Sequence, residues 1–161
     1  KSALDAIGEK VFTEEPIEIN AGLWCTGPIP RVTEFEDTGG AFFVDEECHQ
    51  PDELLDDQGV FIDTAEGIVV ILGCAHAGVI NTLYYVKQLM PSRPITTVIG
   101  GTHLATADKT RMRRTIQALK ELDVQRLYPL HCTGFAPAAE LWREFPDRVA
   151  LCPVGTRIEL T

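Results

Sequence analysis

Three histidines recur at nearly equal intervals in the second half of the chain, and this spacing limits the fold more than any other feature. His76, His103 and His131 are 27 and 28 residues apart. Each follows a short apolar run, sits among glycines or small residues, and precedes a stretch with helical periodicity. A β-α-β unit takes about 30 residues and its crossover is right-handed. The spacing therefore predicts successive parallel strands over Ile68–Leu72, Ile95–Ile99 and Arg126–Leu130, each with a histidine at its carboxyl end. That end of an open α/β sheet is where ligands bind. The predicted class is α/β, with β-strands alternating with helices, and residues 1–161 read as one domain.

The intervening segments fit this frame. Val79, Ile80, Leu83, Val86 and Met90 follow 3.6-residue spacing, and Pro91 ends the pattern. Met112, Ile116, Leu119 and Leu122 mark a second helix over 108–122, with Thr106 or Asp108 as N-cap. Pro137 is expected at the first position of a third, before Ala138–Phe145. Val60–Thr64 and Ile68–Leu72 read as a hairpin across Ala65-Glu66-Gly67. Alternation over Ile17–Trp24 predicts one half-buried strand, and Ala41–Val44 a short one. The acid-rich run Glu46–Gln58 reads as an exposed loop, with His49 on the surface. Val149–Leu151 and Arg157–Leu160 are expected to make two short strands around Gly155.

Charge excludes some classes of partner. The chain carries 14 bases and 24 acids, a net of −10. Residues 1–80 hold 17 acids and 3 bases, whereas residues 81–161 hold 7 and 11. Non-specific nucleic-acid or membrane binding needs a basic surface, so neither is expected. The basic run Lys109–Arg114 reads as a solvated helix face, with Arg111, Arg113 and Arg114 as candidates for attracting an anionic substrate. The longest apolar run, Ile68–Leu72, is far short of the ~18 residues that suggest a membrane span. Five cysteines without a C-x-x-C pair point to reduced thiols and a cytoplasmic protein.

The histidine edge suits a metal. Neutral imidazole is the commonest metal ligand, and thiolate suits zinc. Cys74 and Cys132 lie on the same edge, beside His76 and His131. The glycines flanking the histidines, Gly78 among them, permit close backbone approach to a ligand. The amides at Ala77-Gly78 open a helix and can hold an anion. Cys74 with His76 also admits a Cys–His nucleophile. No GxGxxG, P-loop or G-x-S-x-G run occurs.

The runs Gly73-Cys74-Ala75-His76-Ala77-Gly78, Gly100-Gly101-Thr102-His103-Leu104 and His131-Cys132-Thr133-Gly134 resemble the metallo-β-lactamase fold superfamily. The branch they resemble includes the archaeal dihydropterin–aminobenzene ribofuranosyl phosphate synthases. Thr26-Gly27-Pro28-Ile29-Pro30-Arg31, with Phe35-Glu36, is similar to a segment of that branch. The resemblance implies an αββα sandwich with a one- or two-metal site, zinc or else iron or manganese. Metal-bound hydroxide would attack an ester, lactone or phosphoester. It implies His131, with His76 or Cys74, as metal ligands, and His103 as a ligand or a catalytic group contacting substrate. Gly78, Thr102 and Thr133 fall at the implied substrate contacts. The family's His-x-His-x-Asp-His run is absent from this sequence. The chain is thus expected to be the C-terminal half of the sandwich, with part of a metal site and no activity alone. A chain opening on Lys1 rather than Met fits that expectation. An apolar sheet face left open would then favour a homodimer or pairing with an N-terminal half; a non-catalytic α/β binding or assembly module is the alternative.

Overall fold

Side-chain alternation divides the sheet into a packed face and an open one. A computed structural model describes residue 6 and residues 8–160; Lys1 lies outside them. Six strands, β1 (Ile17–Asn20), β2 (Leu23–Cys25), β3 (Gly59–Asp63), β4 (Ile68–Leu72), β5 (Ile95–Gly101) and β6 (Arg126–Leu130), form one sheet in sequence order. The first four are antiparallel to their neighbours; β4, β5 and β6 run parallel. The register aligns Trp24, Phe61, Val70, Val98 and Leu127 in a row across five strands. Phe61, Val70, Val98 and Leu127 are buried, and Trp24 stacks on Phe61 at 5.9 Å between centroids.

Three helices cover that row: α1 (Val79–Leu89), α2 (Lys109–Glu121) and α3 (Phe135–Glu144). Val79, Ile80, Leu83 and Val86 of α1 join one core with Met112, Ile116 and Leu119 of α2 and Leu141 of α3. Burying each such side chain contributes roughly 1.5–3 kcal/mol. Asp108 is the N-cap of α2, its carboxylate accepting from the Arg111 amide at 2.7 Å. The next row, Cys25–Val60–Ile71–Ile99–Tyr128, alternates to the other face. It is apolar in character yet only partly buried, and Ile71 at its centre is 36% exposed.

Several local expectations are corrected. The segment 17–24 is two strands, because the chain reverses at Ala21-Gly22 with Gly22 at φ 75°. Ala41–Val44 forms no strand; Phe43 makes a single bridge to Pro51. Pro137 is the third residue of α3, which starts at Phe135 after Gly134 at φ 78°. Val149 makes one parallel bridge to Leu127, and no strand follows. Pro153, which has no N–H to donate, stands soon after.

Candidate metal centre

The three parallel strands end in turns that gather their polar side chains at one edge. After β4, Ala75 adopts φ 57°; after β5, His103 itself adopts φ 47°. Left-handed backbone is uncommon without glycine and concentrates at functional sites. After β6, His131, Cys132 and Thr133 form a 3-10 turn.

Two groups of donors result. Cys74, His131 and Cys132 each offer a ligand atom within 4.8 Å of the other two, and so do Cys74, His76 and His103. Cys74 belongs to both. Its Sγ lies 3.1 Å from His131 Nε2, so the thiol pairs with His131 rather than with His76 as the nucleophile alternative expected. The His76 and His103 rings are 4.2 Å apart between centroids. His76 Nδ1 lies 2.8 Å from the Thr38 carbonyl oxygen. A carbonyl only accepts, so Nδ1 holds the proton and Nε2 keeps its lone pair for a ligand. Burial, then the neighbouring His76 and Arg111, holds the His103 pKa below the usual imidazole value. His103 is therefore neutral near pH 7, and its Nδ1 is buried without a hydrogen-bond partner. Burial pushes the Cys132 thiol pKa up. Soft sulfur and neutral imidazole donors at this spacing fit a borderline divalent ion.

The loop Thr33–Gly40 locks this edge from the side. The Glu36 carboxylate accepts from the amides of Ile80 at 2.9 Å and Asn81 at 2.8 Å, and from the Thr33 hydroxyl at 3.1 Å. Burial raises the Glu36 pKa despite these bonds. Asn81 Oδ1 in turn accepts from the amides of Val32 and Thr33, each at 2.8 Å. Asp37 accepts from the Gly39 amide at 2.7 Å and pairs with the Arg111 guanidinium. Gly39, at φ 76°, lies against the His103 ring; a β-carbon there would meet His103 Cδ2 at 1.9 Å.

The predicted site residues are thus partly regrouped. Cys74, His76, His103 and His131 share one edge, but His76 and His131 fall in different donor groups. Thr102 and Thr133 are buried, and the Thr102 hydroxyl lies 2.9 Å from that of Thr133. Gly78 is buried at the start of α1. The anion place expected there holds the chain's own carboxylates: Asp57 accepts from the Ala77 amide at 2.7 Å, and Glu36 takes the next turn. Arg111 is not on a solvated face but 4% exposed, whereas Arg113 and Arg114 are exposed. The Arg114 guanidinium sits 4.5 Å above the Phe35 ring. Cys48 and His49 are exposed in the acidic loop. Sequence reasoning missed Thr38, Asp37 and the capping role of Glu36; the pairing of Phe35-Glu36 with the Thr26–Arg31 segment was the only signal near them.

No protein-family model matches the chain. The 7,8-dihydropterin-6-methyl-4-(β-D-ribofuranosyl)-aminobenzene-5′-phosphate synthase of Methanocaldococcus jannaschii is 30% identical over 144 residues, covering 87% of this chain and 49% of that protein. An uncharacterised protein of the same organism is 34% identical over 128 residues, covering 80% of this chain and 46% of its own length. The chain spans about half the length of the curated relatives it matches. A crystal structure described as a metal-dependent hydrolase of the β-lactamase superfamily superposes with a TM-score of 0.82 at 30% identity, over 93% of this chain and 58% of that one. Fold and sequence both agree with the resemblance carried by the three histidine motifs.

Proposed function

We propose that this chain, which carries the fold of the metal-dependent hydrolases of the β-lactamase superfamily, supplies one side of a metal centre that hydrolyses a small anionic ester, lactone or phosphoester. The convergence of Cys74, His76, His103 and His131 on the carboxyl edge of β4, β5 and β6 carries this reading. Cys74, His76 and His131 would hold the ion, with zinc favoured over iron or manganese by the sulfur donor. When bound, such an ion supplies Lewis acidity and activates water near neutral pH.

The chain's own residues set the rest. Thr38 fixes the His76 tautomer through its carbonyl. Neutral His103, held against Gly39, is placed to bind a substrate oxygen and steady its developing charge. The contact between the Thr102 and Thr133 hydroxyls joins the ends of β5 and β6, keeping the two histidine-bearing turns at a fixed separation. Gly78 admits the Glu36 carboxylate, since a β-carbon there would meet Glu36 Oε2 at 2.4 Å.

The half-exposed row through Ile71 supports an assembly reading beside the catalytic one. A second layer, either a first half such as the longer relatives carry or another copy of this chain, would cover it and complete the sandwich. Among the described residues no helix is long and apolar enough to cross a membrane, and unpaired cysteines suit the cytoplasm. Elemental analysis of the purified protein tests the proposal, together with chelator-sensitive turnover of a phosphoester and lactone panel. Bound metal that falls with His131→Ala and His76→Ala is expected; a protein without metal and without hydrolysis would refute it.

A further inference from the structure

We infer that Cys132 is a metal ligand, and that Cys74, His131 and Cys132 form a thiolate-rich site selective for a zinc-class ion. The inference deepens the metal reading above and rests on it. Its first ground is geometric. Adjacent residues of an extended strand point to opposite faces, so His131 and Cys132 could not both reach Cys74 from a continued β6. The 3-10 turn at His131–Thr133 removes that obstacle. It brings both side chains into one group with Cys74, every pair of ligand atoms within 4.8 Å.

The contacts hold the group in place. Cys74 Sγ is 3.1 Å from His131 Nε2, and Cys132 Sγ is 3.5 Å from the Cys74 carbonyl oxygen. Beneath them lies Gly101, the last residue of β5. A β-carbon on it would meet Cys132 Sγ at 2.5 Å, His131 Cε1 at 2.6 Å and His131 Nε2 at 2.7 Å. Bare backbone is thus the floor on which sulfur and imidazole sit together. In a tetrahedral zinc site, bond lengths near 2.3 Å to sulfur and 2.0–2.1 Å to nitrogen put donors roughly 3.4–3.8 Å apart. The present spacing reaches that by side-chain movements of about an ångström or less.

Donor chemistry supplies the selectivity. Two sulfurs and one imidazole make three protein ligands, and exposed His131 leaves the fourth position facing solvent. Three protein ligands with one open position is the pattern of catalytic rather than structural zinc. Two thiolates favour zinc strongly over manganese or magnesium, which prefer oxygen. His76 and His103 remain beside this site, on the other flank of Cys74.

Cobalt(II) reports the sulfur ligands directly, since each bound thiolate adds to the near-ultraviolet charge-transfer band. The chain is loaded with cobalt under a non-thiol reductant. Cys132→Ser is expected to bind cobalt with about a twofold weaker band, as one of two thiolates is lost. Cys74→Ser should behave likewise, and His76→Ala should leave the band intact. Differential alkylation of the unmutated chain, read by mass spectrometry, guards against misfolded variants. Zinc should protect Cys74 and Cys132 but not Cys25, Cys48 or Cys152. A full-strength band in folded Cys132→Ser, or equal alkylation of Cys132 with and without zinc while Cys74 is protected, would overturn the inference and leave the metal reading standing. Failure of cobalt and zinc to bind at all would overturn both.

Discussion

Replacing Glu36 by alanine tests whether a carboxylate 44 residues upstream of its partner really ends a helix. Helix α1 has no acidic residue in its first turn, and its N-cap, Gly78, has no side chain to offer. The amides of Ile80 and Asn81 therefore depend on Glu36, at 2.9 and 2.8 Å. Ile80 and Asn81 are almost wholly buried, at 0% and 1% exposure. Glu36→Ala leaves two enclosed donors unpaired, at about 1–3 kcal/mol each. Part of this is offset, because the variant no longer buries a carboxyl. A net loss of about 2–3 kcal/mol is expected, or roughly 4–12 °C in Tm for a domain of this size. Urea and thermal unfolding followed by circular dichroism measure it.

The pH dependence supplies the sharper test. Burial raises the folded-state pKa of Glu36 above its ordinary value. The folded chain thus holds this proton more tightly than the unfolded chain does. The associated stabilisation is fully present below the unfolded pKa of about 4.3 and is lost as pH rises through the raised folded value. The stability gap between the parent chain and Glu36→Ala should therefore be widest near pH 4 and narrow as pH climbs through that window. Glu36→Gln, which cannot ionise and keeps one acceptor, should fall between them. A gap below about 0.5 kcal/mol at pH 5 would refute the capping argument, being the size of an ordinary surface substitution. A gap that widens with pH would show that the hydrogen bonds outweigh burial and that the carboxyl is held below, not above, its usual range.

Gly39→Ala should displace the His103 ring, because the added β-carbon would lie 1.9 Å from Cδ2 and the backbone sits at φ 76°. About 1–2 kcal/mol of backbone strain accompanies the clash; imidazole nitrogen NMR reads the displacement, and unshifted His103 signals would count against it. Ile71→Glu places a charge at the centre of the open sheet face, where Ile71 is 36% exposed. If a second copy covers that face, light scattering should show the assembly dissociating to monomer. A parent chain already monomeric across a concentration series would show that no such copy binds there.

The parts of the fold legible in the sequence are those fixed by local period. In β4 and β5 apolar runs are short and bounded, and in α1 and α2 the 3.6-residue spacing is clean, so the 27- and 28-residue intervals could be read as strand equivalence. That equivalence places His76, His103 and His131 on one edge but cannot pair them. Pairing depends on the last turn of each strand: a left-handed Ala75, a left-handed His103 and a 3-10 turn at His131. None of these has a signature in residue type, since only glycine advertises positive φ. Arg111 was misread for a related reason. Within Lys109–Arg114 every base looks alike, and only the arrival of Asp37, 74 residues earlier in the chain, separates the buried guanidinium from its exposed neighbours. Glu36 is the same case from the other side, a carboxylate in a loop whose partners lie on a helix it does not adjoin. The metal edge is therefore assembled from two kinds of information. Periodicity carries the ligands to it, and long-range polar contacts, invisible to periodicity, decide which nitrogen and which sulfur are left free to bind.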